Sequence, residues 1–157
     1  MADRDQALDL LLEITTLLAD DMRRAFDRDG LTPARAHLLW VLHEQGPVPQ
    51  RVLADSLGVA PRTVTGLVDG LEESGHVVRR THAADRRVAL VTFTDAGARL
   101  AAEMAAGKAE LAAGLFGHLP RMKLDMLVDG LADVRDRLAR MIAADLADLA
   151  ERGSGTP

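Results

Sequence analysis

The segment QRVLADSLGVAPRTVTGLVDGLEESG, Gln50 to Gly75, decides how the rest of the chain is read. Its first half carries Val52, Leu53 and Leu57 at helical spacing, with Ala54 small where a second helix must come close. Gly58 stands where the chain reverses, a place for a positive φ without a Cβ penalty. Val59 fills the corner. Pro61 then opens a second helix whose Val64, Leu67, Val68 and Leu71 recur every three to four residues and point inward. Two short helices meeting around a glycine make a helix-turn-helix, and the second helix keeps its other face free. Arg62, Thr63 and Thr65 stand on that face, with Gly66 small enough for close approach.

In such units the first turns of the second helix enter the major groove of DNA. Arg62 can donate two hydrogen bonds to guanine O6 and N7 or pair with a phosphate, and the threonines can meet base edges or thymine methyls. Gln50, at the first helix's N-terminus, is placed to meet a phosphate together with that helix's free N–H groups. Two features pull the other way. Ala60 is a poor N-cap, and Asp69 puts a negative charge two turns into the second helix.

Downstream, HVVRRTH and VALVTFT are strand-like and are joined by AADRR, residues 83–87. A two-stranded ribbon directly after a recognition helix is a wing, whose tip reaches toward the groove the helix does not fill. Arg86 and Arg87 stand at that tip, suited to the negative potential of a narrow minor groove. Asp85 beside them reads as a brace that pre-aims a guanidinium. Arg79 and Arg80, with His82, can meet phosphates from the outgoing strand.

The bulk properties fit this reading once divided along the chain. The net charge is −5, but residues 1–49 carry −4, residues 50–90 carry +1, and residues 91–157 carry −2. The middle is the one positive part. Aromatic residues make up 3%, which argues against a single-strand stacking platform, and the absence of Cys removes disulfides, thiolate metal sites and cysteine nucleophiles. Apolar runs are too short to span a bilayer and the N-terminus lacks a secretory signal's basic flank, so a cytoplasmic, membrane-free protein is expected.

Residues 6–28 form a helix apolar on two faces, through Leu8, Leu11, Leu18 and Met22 on one and Leu10, Ile14 and Leu17 on the other. Gly30 closes it, and Thr32-Pro33 starts the next helix as N-cap and N1. The last helix carries Leu127, Leu131, Val134, Leu138 and Leu149 at heptad-like spacing, with Asp133–Arg137 and Asp136–Arg140 as i,i+4 pairs. Apolar stripes of this length call for a partner, so a homodimer is expected. The expected fold is mainly α with a small β-wing: residues 1–30 for dimerisation, 31–97 a winged helix-turn-helix lobe, 98–152 for dimerisation again, and 153–157 a disordered tail.

Taken together, the Gln50–Arg80 stretch followed by DRRVALVTFTDAG resembles the MarR (multiple-antibiotic-resistance regulator) family of winged-helix transcription factors. The wing signature of that family maps to Asp85, Arg87, Phe93-Thr94 and Gly97, and the end of its recognition helix to Leu71, Glu72, Gly75 and Val77. Phe93 replaces the more usual Leu. The resemblance covers essentially the whole chain. It implies a homodimer, joined through its N- and C-terminal helices, that binds double-stranded DNA at a pseudo-palindromic operator. It further implies release by a small aromatic or phenolic effector lodged between the dimer helices and the DNA-binding lobes, for which Met22, Phe26, His37, Trp40 and Met104 are candidate walls. Repression is the expected sense.

Phosphate loops, Ser-His-Asp arrangements and metal-ligand spacings are absent from the sequence, so neither catalysis nor a metal or other cofactor is expected. The Asp20-Asp21 and Glu72-Glu73 pairs read as solvated faces. A winged-helix interaction module that has lost DNA binding is the alternative, favoured by the acidic total. Arg87→Ala is expected to weaken operator binding by about 1–3 kcal/mol without unfolding the dimer, as read by a binding isotherm and a thermal melt. Unchanged affinity would show that the wing tip is idle.

Overall fold

The computed structural model describes residues 3–81 and 89–153. The chain divides into two compact units, the first running to Ala106 and the second beginning at Gly107. Its elements are α1 (Arg4–Arg28), α2 (Pro33–Gln45), β1 (Val48–Pro49), α3 (Gln50–Leu57), α4 (Pro61–Glu73), β2 (Val77–Thr81), β3 (Ala89–Phe93), α5 (Asp95–Phe116) and α6 (Arg121–Gly153).

Local chemistry sets most boundaries in the first unit. The Asp3 carboxylate accepts from the Gln6 N–H at 2.8 Å and caps α1. Thr32 caps α2 through the Arg35 N–H at 3.3 Å, with Pro33 in the first turn. At the end of α3, Gly58 adopts φ 65° and ψ 32°, and the following Val59 N–H reaches back to the Ala54 carbonyl at 3.2 Å. That left-handed turn is what allows the second helix to leave at an angle.

The core gathers Leu38, Leu39 and Leu42 from α2, Leu53 from α3, and Val64, Val68 and Leu71 from α4. Val77 of β2 and Val91 of β3 close it from the sheet side, and Phe26 and Met104 pack against its margin. The Gln45 amide donates to the Ser56 hydroxyl at 2.9 Å, tying α2 to α3.

The ribbon expected from the sequence is a three-stranded antiparallel sheet in the order β1-β3-β2. β2 pairs with β3 from Val77↔Phe93 to Thr81↔Ala89, and β1 adds Val48↔Val91 and Pro49↔Leu90 on the other edge of β3. Pro47 and Pro49 flank Val48 and disguise β1 in the sequence. Proline has no N–H to donate to a ladder, yet it is tolerated on an edge strand. Residues 82–88 lie outside the described residues, and with them the tip residues Asp85, Arg86 and Arg87.

The passage from the sheet into α5 is tightly specified. The Thr94 hydroxyl donates to the Gly75 carbonyl at 2.6 Å and accepts from the Gly97 N–H at 3.1 Å, so one side chain caps α5 and holds it to the end of α4. A Cβ placed on Gly97 would lie 1.8 Å from the His76 carbonyl oxygen. Only a glycine lets the helix come this close to β2's first residues.

In the second unit, α5 continues through Gly114 to Phe116, and a turn at 117–120 precedes α6. α6 extends to Gly153, while 154–157, most of the expected tail, lie outside the described residues. Asp136 is engaged by Arg135 at 2.7 Å rather than by Arg140, and Arg121 pairs with Asp125 at 3.1 Å. These pairs are largely exposed and contribute little. Leu131, Val134, Leu138 and Leu149 remain about half exposed in the chain. Among the described residues, no helix is long and apolar enough to cross a membrane.

Gly97→Ala is expected to destabilise the fold by about 1–3 kcal/mol in chemical denaturation, because the new methyl meets backbone that cannot swing aside. An alanine variant with the wild-type midpoint would show that α5 and β2 can separate freely.

Candidate nucleic-acid interface

Burial divides α4 into two faces. Val64, Val68 and Leu71 are fully buried, and Leu67 is half-buried. Arg62, Thr63, Thr65 and Gly66, one or two positions from a buried residue and so turned away from the core, are exposed. The packing that fixes the helix thus also fixes which side chains look outward.

Within that outer face the chemistry is partly pre-set. The Thr65 hydroxyl donates to the Pro61 carbonyl at 3.1 Å, leaving its oxygen as an acceptor and its methyl free to make apolar contact. Ala60 supplies no side-chain cap, so no side chain covers the partial positive charge at the N-terminal end of α4, although the Thr63 N–H turns back to the Ala60 carbonyl at 2.9 Å. Gly66 has open space where a Cβ would be. Nothing in the fold requires a glycine there, although one in mid-helix costs about 1 kcal/mol relative to alanine. Gly70 differs, since a Cβ on it would lie 2.0 Å from the Arg35 guanidinium that crosses it from α2.

The remaining sequence-predicted residues fall in different places. Gln50 is the first residue of α3 and half-buried, and its Nε2 is withdrawn from solvent with no hydrogen-bond partner among the described residues. Arg80 is exposed on β2. Arg79, its neighbour, faces the other way and is half-buried, with its side chain bonded to Glu72 and Asp69 of α4. Glu72, read from the sequence as part of a solvated face, is therefore an internal ligand for an arginine. Asp20 and Asp21 do form surface pairs, with Arg23 at 2.7 Å and Arg24 at 3.5 Å.

The five candidate effector-wall residues are not gathered alike. Phe26 and Met104 both pack against the core margin of the first unit. Met22 and His37 are exposed, and Trp40 is half-buried with its ring 5.7 Å from that of His43. Among the described residues, no group of three or more His, Asp or Glu side chains could hold a metal ion.

Comparison with known proteins agrees with this arrangement. Residues 31–89, from the start of the lobe to the first residue of β3, match the family model described as MarR family. The HTH-type transcriptional repressor MdtR of Bacillus subtilis (strain 168) is 26% identical over 159 residues, covering 99% of this chain and 100% of that one. The crystal structure of CouR from Rhodococcus jostii RHA1, bound to p-coumaroyl-CoA, is 30% identical. It covers 80% of this chain and 88% of its own, with a TM-score of 0.64. A MepR mutant of S. aureus bound to oligodeoxyribonucleotide shares the fold at a TM-score of 0.60 and 20% identity, covering 84% of this chain and 97% of its own.

Gly66→Ala provides a test of the outer face. The free protein is expected to be as stable as wild type or up to about 1 kcal/mol more stable, while affinity for DNA falls. Thermal melts and fluorescence anisotropy read the two effects separately, and undiminished affinity would remove Gly66 from the interface.

Proposed function

We propose, because the chain belongs to the MarR family of DNA-binding transcriptional regulators, that it represses transcription as a homodimer on a pseudo-palindromic operator and is released by a small aromatic effector. It is a regulator and not an enzyme. The observation that carries the proposal is the exposed row Arg62, Thr63, Thr65 and Gly66 above the buried Val64, Val68 and Leu71.

On this reading Arg62 donates to guanine or to a phosphate at the mouth of the major groove, while Thr63 and Thr65 contact base edges. The uncapped start of α4 accommodates a phosphate oxygen in place of a cap. Arg80 lies on the flank as a backbone contact, Gln50 brings the start of α3 to a phosphate through main-chain N–H groups rather than its buried Nε2, and the tip residues Arg86 and Arg87, steadied by Asp85, take the adjacent minor groove.

The dimer reading draws support from what each chain leaves uncovered. No residue of α1 is buried, and Leu8, Leu12, Ile14 and Leu17 are each at least half exposed. Along α6, Val128, Leu138, Met141 and Leu146 are similarly bare. A second copy covering these stripes would bury several hundred Å² of apolar surface that monomeric proteins rarely leave in water. Two lobes related by a twofold axis would set their α4 helices about 34 Å apart, one turn of the duplex.

The name of CouR's ligand, an aromatic acyl thioester, supports an aromatic effector here. Differential affinity for one lobe separation over another would let such a molecule release DNA. Phe26 and Met104, packed against the core, form the apolar wall on this reading, with Met22, His37 and Trp40 farther out.

Anisotropy titrations against the duplex that the protein enriches from a random-sequence pool test this reading, with sedimentation fixing the stoichiometry. Affinity is expected to fall steeply with salt, as counterions are released from neutralised phosphates. Arg62→Ala is expected to lose about 1–3 kcal/mol and to relax base preference at one position per half-site. A flat salt response would favour an interaction module, and a monomer in sedimentation would end the twofold reading.

A further inference from the structure

Arg79 is registered opposite Val91 in the sheet and lies two residues after the buried Val77, on the same side of β2. From there it reaches α4 with both its side chain and its main chain. Its Nη1 donates to Glu72 Oε2, and its Nη2 donates to Asp69 Oδ1 at 2.6 Å. Its backbone N–H donates to Glu72 Oε1 at 2.8 Å. One carboxylate therefore holds the strand and the guanidinium at once, and a second carboxylate one turn earlier on the helix takes the other arm of the fork.

The Arg79 and Glu72 side chains are 28% and 30% exposed, so this pairing is far better shielded than the surface pairs on α1 and α6. A fork that must satisfy two carboxylates in fixed geometry resists sliding of the strand along the helix. The same bonds answer a second difficulty. α4 carries Asp69 and Glu72 on the helix that is to approach a polyanion, and Arg79 supplies one positive charge against those two.

We propose that Arg79 is a positioning residue for DNA binding rather than a phosphate contact. Through Glu72 and Asp69 it clamps β2 to α4, fixes the angle at which Arg62, Thr63 and Thr65 are presented, and lowers the helix's own negative charge by one. The proposal rests on the DNA-binding reading above.

The test compares wild type, Arg79→Gln, and the double variant Asp69→Asn with Glu72→Gln. Binding is read on the pool-selected duplex and on a scrambled duplex of the same composition. Arg79→Gln is expected to lose on the order of tenfold in affinity for the selected duplex, with a smaller loss on the scrambled one. Amide chemical shifts of Arg62 to Gly66 are expected to move in the DNA-free protein, which a direct phosphate contact would not cause. The double variant, with Arg79 intact but unclamped, is expected to bind more weakly than wild type. If Arg79 is instead a phosphate contact, releasing it from its carboxylates strengthens binding, and that result overturns the clamp. So does an Arg79→Gln variant that loses equally on both duplexes while its 62–66 amides stay in place. Should Arg79→Gln not fold, Asp69→Asn alone, at an exposed carboxylate, carries the same comparison with a smaller expected loss. A wild-type protein that enriches no duplex sinks the DNA-binding reading, and the free-protein shifts then still decide the clamp.

Discussion

A short helix docked on one lobe can bury only one stripe of its surface, and α4 commits that stripe to Val64, Val68 and Leu71. The DNA-binding reading depends on this one-sided burial. With those side chains seated against α2 and α3, rotation of α4 by even a third of a turn would put Thr63 or Thr65 in the core and a valine in water. Buried hydroxyls without partners and stranded apolar groups both carry costs of kilocalories, so the outward face is fixed by what lies beneath it. The left-handed Gly58 sets the angle of departure, and the β-sheet closes the core from below.

A second layer of constraint sits where the sheet meets the helices. Thr94 and Gly97 lock α5 to the end of α4, and Arg79 locks β2 to the middle of α4. Together these make the lobe a unit whose recognition helix and strands are cross-tied by hydrogen bonds as well as by apolar packing. The arrangement also accounts for acidity near a surface proposed to meet DNA. Asp69 and Glu72 serve the clamp, and Arg79 offsets part of their charge.

Much of this was legible in the sequence because it is written in local rules. Thr32-Pro33 announces a helix start through its hydroxyl and its fixed φ, and Gly58 announces a reversal because other residues resist that conformation. The 3–4 spacing of Val64, Val68 and Leu71 marks an inward stripe, and the β-branched runs after Gly75 mark strands. Other features depend on residues far apart in the chain. β1 is two residues long and hedged by prolines, so only its pairing with Leu90 and Val91 reveals it. Glu72 and Arg79 are seven positions apart on different elements, and no periodicity links them. The effector candidates are scattered for the same reason: Phe26 and Met104 each pack against the core while Met22 and His37 are exposed, a matter of helix docking rather than of residue type.

The sequence by itself determined the succession of helices and of the two ribbon strands, the turn at Gly58, the inner and outer faces of α4, and the family to which the chain belongs. These follow from backbone preferences and hydrophobic periodicity, which act over a few residues at a time. Only the tertiary structure decided that the sheet has three strands, that Gly97 must be a glycine, and that Arg79 faces a helix instead of solvent. Those outcomes turn on distances between segments that the chain brings together only when the core closes, and no local preference encodes them.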